Sequence, residues 1–579
     1  MSRNAEIADL FEEYADLLDA QDVQYKPQSY RRAADNIRDY PEAIEELAED
    51  GPDAIGQIPQ VGDSIAGKVI EYFETGEIEE LEEERAKLPV QMAELTRVEG
   101  VGPKTVGTLY EELGVQTLDD LEAAARAKEI REIKGFGPKT EENIVDGIEF
   151  ARTIRGRELL GNARPVGEQV RTFVSDIPSV GRCELGGSIR RWCETIGDVD
   201  VLAESEDKQA VVDAFADWER ATEVIEAGTD KAAIRVSDTR IDLRVVVPEE
   251  FGSALQYFTG SKNHNITLRN HAIERELKVN EYGVFDISAV DDPDAGQRVG
   301  EKVAGETEAS MYDALGLPLI APEMREDNGE IDAALAGELP DLIEEDDVSG
   351  DLHLHTEWSD GNNTIAEMVE SAAEFGHDYI SISDHATGPG MVGGVGLDDD
   401  ELREQIDEIR AVADDAEIEV FAGVEANIEG DGGISVADDV LAELDIVVAS
   451  PHSGLDGDAT ERLIRAIEHP SVDILGHPSG RLINQRPGLD FDVREVARAA
   501  VENNVALEIN SNPSRLDLWG GAVQVAVEEG ATIAIDTDAH SPTEYGNVRY
   551  GVHTARRGWA EAGDVLNTWD AEAVRDFIH

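Results

Sequence analysis

Six short apolar runs in the C-terminal half of this chain each deliver a metal-type side chain, and no other feature restricts the fold so tightly. Asp351-Leu352-His353-Leu354-His355 opens the series, with Asp360 close behind. Tyr379 to Asp384 leads into His385, and Val420 to Val424 into Glu425. His452, His477 and the pair Asp538/His540 close the remaining runs. Short buried strands that present polar groups at their C-terminal ends are how a parallel α/β barrel builds a site. From residue 350 onward such strands alternate with helical stretches such as 493–501. A single histidine at a strand end is ordinarily a core or surface group. Six histidines and three carboxylates converging on one barrel mouth are enough to hold two or three divalent cations. The other histidines, His264, His271, His377, His469, His553 and His579, lack this context and are expected to bind no metal. Asn510, Arg481 and Arg515 fall near expected loop mouths and are candidate phosphate contacts.

With 579 residues, 41% of them hydrophobic, the chain is long enough for several domains and too apolar to be largely disordered. It has no apolar run of about 18 residues, so no membrane helix is expected. Met1 to Leu10 lacks the pattern of a signal peptide. Cys183 and Cys193 read as reduced thiols, which fits a cytoplasmic protein. The net charge is −77, with 126 acidic against 49 basic residues spread along the whole length. Because the apolar periodicity argues against disorder, the charge points to a proteome adapted to molar salt, that of an extreme halophile such as a haloarchaeon. There the Debye length is about 3 Å and self-repulsion is screened. Nucleic acid is not excluded as a partner, but its binding cannot depend on a broad basic surface.

The first 150 residues read as helices, with Ile7, Leu10, Phe11, Tyr14, Leu17 and Leu18 at helical spacing. Three Gly-rich turns interrupt them: Ile58-Pro59-Gln60-Val61-Gly62, Val98-Glu99-Gly100-Val101-Gly102-Pro103-Lys104-Thr105 and Ile133-Lys134-Gly135-Phe136-Gly137-Pro138-Lys139-Thr140. They resemble helix-hairpin-helix motifs, in which glycines let backbone N–H groups approach a DNA phosphate. The resemblance implies DNA contacts at Gly62, Gly100, Gly102, Lys104, Gly135, Gly137 and Lys139. The first copy carries Gln60 in place of a glycine.

From about 151 the pattern becomes mixed. Gly186-Gly187-Ser188-Ile189-Arg190-Arg191 precedes Gly197-Asp198-Val199-Asp200-Val201, and Asp242 lies in the next strong strand, 241–247. An isolated Asp-x-Asp is ordinarily a solvated strand face. Three carboxylates on adjacent strands behind a Gly-Ser turn can clamp two Mg²⁺ ions for in-line displacement on a triphosphate.

This segment resembles the palm of family X DNA polymerases, and Tyr257-Phe258-Thr259-Gly260-Ser261 resembles that family's nucleotide-binding signature. The resemblance implies Mg²⁺ or Mn²⁺ on Asp198, Asp200 and Asp242, with Asp242 also activating the primer hydroxyl. It implies nucleotide contacts from Gly187, Ser188, Arg191, Gly197, Tyr257, Phe258, Gly260, Asn265 and Arg269. The N-terminal helices resemble the family's lyase domain: Lys68 aligns with its Schiff-base lysine, and Lys26 and Tyr30 with neighbouring positions. Gly67, however, replaces an acidic residue, and a plain phosphate-contacting lysine fits Lys68 equally well.

The second half resembles the PHP (polymerase and histidinol phosphatase) domain, a distorted barrel with a trinuclear centre. The resemblance implies three ligand sets: His353, His355, Glu425 and Asp538; Glu425, His452 and His477; Asp360, His385 and His540. Up to three Zn²⁺, Mn²⁺ or Fe²⁺ ions suit these donors. The expected architecture is multidomain: helical lyase-like (1–90) and helix-hairpin-helix (91–150) regions, an α+β nucleotidyltransferase palm (151–250) and thumb (251–317), a linker (318–349) and an α/β PHP barrel (350–579). The expected function is gap-filling DNA repair, including base excision repair, joined to a 3′–5′ exonuclease or related 3′-end phosphoesterase. Expected partners are gapped or nicked duplex DNA and deoxynucleoside triphosphates, with no membrane and a monomeric state favoured. Two other classes stay open, a PHP small-molecule phosphatase and a catalytically inactive DNA-binding scaffold.

Salt should strongly stabilise a chain of this charge. The melting temperature is expected to rise steeply from dilute buffer to molar KCl, and an unchanged value would contradict the salt-adaptation argument.

Overall fold

The computed structural model describes residues 3–578 except 22, 24–25, 39, 41–43, 97, 99, 154–156, 237–238, 391–394 and 456. Glu99 of the second hairpin and His579 therefore lie outside the described residues. Two compact units emerge, Met1–Arg157 with Asn484–Arg486, and Glu158–Ile483 with Pro487–His579.

The first unit is helical. Helix α1 (Arg3–Ala20) turns Ile7, Phe11, Tyr14, Leu17 and Leu18 into a core shared with α2 (Lys26–Arg38). The three hairpin turns share one backbone geometry. Val61 N–H donates to Ile58 C=O, Val101 to Val98, and Phe136 to Ile133. The second turn residue is left-handed each time, Gln60 at φ 59°, Gly100 at 78° and Gly135 at 103°. Gln60 thus adopts the glycine conformation at some steric cost. Gly62 and Gly102 then cap helices α3 (Asp63–Thr75) and α4 (Pro103–Leu113), and Gly137 precedes α5 (Pro138–Thr153).

In the second unit, α6 (Leu160–Ser175) backs a five-stranded sheet. Its strands are β1 (Cys183–Leu185), β2 (Val199–Glu204), β3 (Glu223–Ala227), β4 (Lys231–Val236) and β5 (Thr239–Val246), in spatial order β1-β2-β5-β4-β3. Helix α7 (Gly187–Arg190) follows β1. The β2–β5 pair is parallel and sets Asp200 directly opposite Asp242. Helices α8 (Phe251–Thr259) and α9 (Lys262–Ile273) follow. An antiparallel sheet of β6 (Leu277–Asn280), β7 (Gly283–Asp286) and β8 (Glu301–Ala304) comes next, then α10 (Glu308–Ala314).

Residues 318–349, expected as a linker, are folded. Arg325 is wholly buried, donating to Glu308 at 2.5 Å and to the Ile320 carbonyl. Glu330, at the start of α11 (Glu330–Ala336), is buried against His264 Nδ1 at 2.5 Å. Ile343 N–H donates to the Ala560 carbonyl. Proline and acidic residues suggested a loose chain, but Glu323 pairs with Arg556 and Glu326 with Arg191 and Arg557, so its acids meet cations from outside the segment.

The barrel has seven parallel strands in sequence order: β9 (Gly350–Leu354), β10 (Tyr379–Ile382), β11 (Glu419–Asn427), β12 (Ile446–Ser450), β13 (Ile474–Leu475), β14 (Ala506–Asn510) and β15 (Ile533–Asp536). A parallel bridge from Leu354 to Ala539 brings the ends together, so the ring is nearly closed. The strands are buried almost throughout, as expected where helices cover a parallel sheet. Leu352, Phe421, Ile446, Val448, Ile474 and Ala534 form one cluster, and a larger one joins the strands to surrounding helices such as Ile365–Phe375 and Val493–Asn503.

Helix α12 (Val548–Arg557) lies against both the barrel and the five-stranded half. The Trp192 indole is sandwiched between the Arg164 guanidinium, 3.7 Å from its ring centre, and the His553 imidazole at 3.6 Å and 9°. Glu168 bridges Arg164 and Arg549, and Arg481 pairs with Glu194 at 2.9 Å. A cation and a flat imidazole on the two faces of one indole make a joint that is both apolar and charged.

In the first unit, Gly107 of α4 faces the end of α1, where a methyl group would sit 2.1 Å from the Ala20 carbonyl oxygen. Gly107→Ala is expected to destabilise this unit by about 1–3 kcal/mol, because the clash outweighs the helix-propensity gain. A lower melting temperature in molar KCl checks it.

Candidate metal centres

The first centre forms where β2 and β5 run side by side. Asp198 precedes β2, and Asp200 and Asp242 face each other across the pair. Partial burial, with Asp198 and Asp242 close by, pushes Asp200 up to about 7. Divalent cations reverse such a shift by neutralising the three carboxylates. Arg240 holds Asp242 through two 2.8 Å bonds. Gly187, at φ 57°, is required here, because a methyl group would lie 2.2 Å from Asp200 Oδ2. Asp200, Asp242, Lys231, Arg244 and Phe258 line a cavity of about 210 Å³.

Of the other residues expected at this centre, Phe258 lines the same cavity as Asp200 and Asp242. Ser188 lies in α7, and Gly197 immediately precedes Asp198. Tyr257 and Phe258 meet edge to face, 5.2 Å apart. Asn265 donates to the Tyr257 and Gly260 carbonyls, and Arg269 to the Asn265 carbonyl, so these four form one hydrogen-bonded patch. Arg191 differs. Its guanidinium donates to Glu326 at 2.8 Å and to the Thr259 carbonyl at 2.6 Å, so in this structure it is engaged by protein groups.

The second centre lies at the C-terminal ends of the barrel strands, where all nine expected residues are brought together. Ligand-type atoms of His355, Asp360, His385 and His540 lie within 4.8 Å of one another, as do those of His353, His355 and Glu425, and those of His385, Glu425 and His452. Asp538 Oδ1 is 3.0 Å from His355 Nε2, and His477 Nε2 is 2.9 Å from Glu425 Oε1. His355 and His385 thus each belong to two groups, a sharing the sequence did not suggest. A simple test shows that cations fit. His353 Nε2 and His355 Nδ1 are buried without a hydrogen-bond partner among the described residues, with carboxylate oxygens no nearer than 3.5 and 4.0 Å. Buried polar atoms left so are costly, and imidazole with carboxylate is a donor set for transition-metal ions. Two candidate ligands also sit in left-handed backbone, His477 at φ 22° and Asp538 at φ 54°, a strain of about 1–3 kcal/mol of the kind found at functional sites.

The groups behind these ligands were missed in the sequence. Glu508, wholly buried on β14, accepts from His353 Nδ1 at 2.6 Å and from the His477 N–H at 2.5 Å. A carboxylate inside an apolar strand was the available signal. Burial alone would lower His353, but Glu508 and Glu425 carry it well above the usual histidine range. Burial and Arg515 press His477 down to about 3, which keeps it neutral as a ligand must be. Asn427 Oδ1 meets His452 Nδ1 at 2.8 Å, leaving Nε2 to face Glu425. Asp384 accepts from Thr356, Ser359 and Gln405 and holds the turn that carries Asp360. These bonds orient the rings. Asn510 and Arg515 reach Asp538 at the mouth, at 3.0 and 3.6 Å, whereas Arg481 belongs to the joint with Glu194. His264, His271, His377, His469 and His553 enter none of these groups.

In the first unit, Lys68 is buried and paired with Glu80 at 3.0 Å. Tyr14 donates to the same carboxylate at 2.7 Å, and Lys26 lies over the Tyr14 and Tyr30 rings. Burial works against the charge on Lys68, but Glu80 raises its pKa above the usual lysine value. A charged, paired amine is a poor nucleophile. A methyl group at Gly62, Gly102 or Gly137 would meet nothing within 4 Å, so those backbones are open to an approaching ligand.

The fold and its two centres define a class: a nucleotidyltransferase half joined to a metal-binding phosphoesterase barrel. Family models match a helix-hairpin-helix domain at 2–78, a SAM-like helix-hairpin-helix tandem at 92–149, the DNA polymerase beta thumb at 254–326 and the PHP domain at 351–512. The chain is 33% identical over 564 residues, 96% of each protein, to the DNA polymerase/3′-5′ exonuclease PolX of Bacillus subtilis. Its barrel half is also similar to probable phosphatases. One from Thermoanaerobacter sp. is 30% identical over 244 residues, 39% of this chain and 93% of that protein. One from Proteus mirabilis is 31% identical over 245 residues, with the same two coverages. The chain belongs to the family X DNA polymerases that carry a PHP domain. No described helix is long and apolar enough to cross a membrane.

Glu508→Gln keeps the size of the side chain and removes its charge from behind His353. It is expected to weaken metal binding at the barrel about 10- to 100-fold with the fold retained. Metal titration followed by elemental analysis after dialysis checks it.

Proposed function

We propose that the chain is a DNA repair enzyme with two activities. Its five-stranded half adds nucleotides to fill short gaps under template direction, and its barrel removes 3′-terminal nucleotides or related 3′-end phosphoesters. The observation that carries this reading is the presence of two separate carboxylate and imidazole centres in one chain, alongside whole-length similarity to a polymerase/exonuclease. The substrates would be gapped or nicked duplex DNA and deoxynucleoside triphosphates, in the salt-rich cytoplasm of a halophile, with base excision repair as the setting and a monomer as the working form. We assign residues 1–90 and 91–150 to DNA binding, 151–250 to the palm and 251–317 to the thumb. Residues 350–579 are assigned to the PHP domain.

Asp198, Asp200 and Asp242 would hold Mg²⁺ or Mn²⁺, and the nine barrel ligands would hold up to three Zn²⁺, Mn²⁺ or Fe²⁺ ions. Such ions neutralise phosphate charge and, in the barrel, lower the pKa of a bound water. The protein's own groups do the rest. Gly187, Ser188 and Gly197 offer backbone and hydroxyl donors to a triphosphate, and Asn265 and Arg269 flank the base. Asp242, once Arg240 lets go of it, would take the proton of a primer hydroxyl. In the barrel, Arg515 and Asn510 beside Asp538 would orient a phosphate. The pairing of Lys68 with Glu80 favours a structural role over a lyase nucleophile, and the open hairpin glycines suit DNA phosphates.

The similarity of the barrel to probable phosphatases supports a second reading, small-molecule phosphate hydrolysis. Comparing labelled DNA with histidinol phosphate as substrates separates the two. In molar KCl with Mg²⁺ or Mn²⁺, the chain is expected to extend a primer across a short gap and to shorten 3′ ends. Asp198→Ala should abolish extension and spare shortening, and His353→Ala should do the reverse. Loss of both activities from either change in a folded protein would refute two separate centres. No extension by the unaltered chain would favour an inactive DNA-binding scaffold.

A further inference from the structure

We infer that Arg557, on barrel helix α12, is a positioning residue for nucleotide binding in the other half of the molecule. The inference rests on the polymerase reading above. Arg191 follows the Gly187-Ser188 turn at the carboxylate centre, yet its Nε donates to Glu326 Oε1 at 2.8 Å. Arg557 Nη1 reaches the same oxygen at 3.1 Å and also donates to the Arg191 carbonyl at 2.7 Å. The Cys193 thiol closes the group, 3.3 Å from that oxygen. One carboxylate oxygen therefore serves two guanidinium groups, one from each half of the unit.

The physical consequence is asymmetric. For Arg191 to turn toward a triphosphate it must leave Glu326, and a partly buried carboxylate without a partner is costly. Arg557 removes that cost, because Glu326 keeps a cation after Arg191 has gone. The Arg557 bond to the Arg191 carbonyl, with Trp192 gripped between Arg164 and His553, holds the backbone still while the side chain swings. The barrel thus lowers the barrier to nucleotide capture through a charge it supplies, far from its own ligand cluster in role though joined to it in sequence.

The test uses the full chain in molar KCl on a gapped duplex. It combines single-nucleotide insertion kinetics with calorimetric titration of a deoxynucleoside triphosphate in Ca²⁺. Arg557→Met is expected to raise KM and weaken nucleotide binding about five- to tenfold with little change in kcat. Glu326→Gln frees Arg191 and should give KM at or below that of the unaltered chain. The double variant should return to within about twofold of Glu326→Gln alone. Arg557→Lys, which keeps the charge with fewer donors, should fall in between and covers the case that the Met variant misfolds. Unchanged KM in both Arg557 variants overturns the inference. So does a double variant no better than Arg557→Met, since that marks a merely structural loss. Failure of the unaltered chain to extend at all sinks the polymerase reading and this inference together, whereas normal extension with silent Arg557 variants sinks only the latter.

Discussion

A carboxylate taken out of water must either find a cation or take up a proton, and both halves of the second unit are organised around that choice. At the β2–β5 pair, Asp198, Asp200 and Asp242 are close enough that one of them approaches neutrality without metal. In the barrel, Glu425 is wholly buried among five imidazoles, and His452, His385 and His353 hold it well below the usual carboxylate range. The same demand shapes the supporting structure. Arg240 occupies Asp242, and Arg515 and Asn510 attend Asp538. In a chain with an excess of 77 negative charges, few arginines are available, and those that are buried sit beside particular acids.

The packing around α10 and the joint to the barrel follow the same logic. Arg190 grips Glu308 with two bonds, and Arg325, wholly buried, shares that carboxylate. Glu323 accepts from His553 and Arg556. Buried ion pairs of this kind are weak contributors to net stability but expensive to break singly, so they fix one arrangement rather than merely favouring it.

Much of the barrel could be read in advance because its information is local. Each candidate ligand except Asp360 lies at or next to the end of an apolar run, and a parallel strand buried on both faces leaves few other readings for such a run. The carboxylates of the first centre were legible for a similar reason, with Asp198 and Asp200 two apart in sequence and Asp242 in the next strong strand. The rest depended on partners distant in sequence. Glu508 lies 155 residues from His353, and Glu326 lies 135 from Arg191, so neither pairing leaves a periodic trace. The folded segment 318–349 was misread because its prolines and acids look like those of a linker until Arg556, Arg191 and Arg557 are placed beside Glu323 and Glu326. Lys68 was placed by resemblance, and only the structure revealed Glu80 beside it.

Helix α12 begins eight residues after His540 and ends at Arg557. The stretch that follows two candidate ligands of one centre therefore touches, through Arg557, the backbone that carries Arg191 beside the other. Such shared material binds the histories of the two chemistries: a substitution selected for one is inherited by its neighbour. Lineages that lost either activity would be expected to let this helix drift, while those that kept both would be held to it from two directions at once.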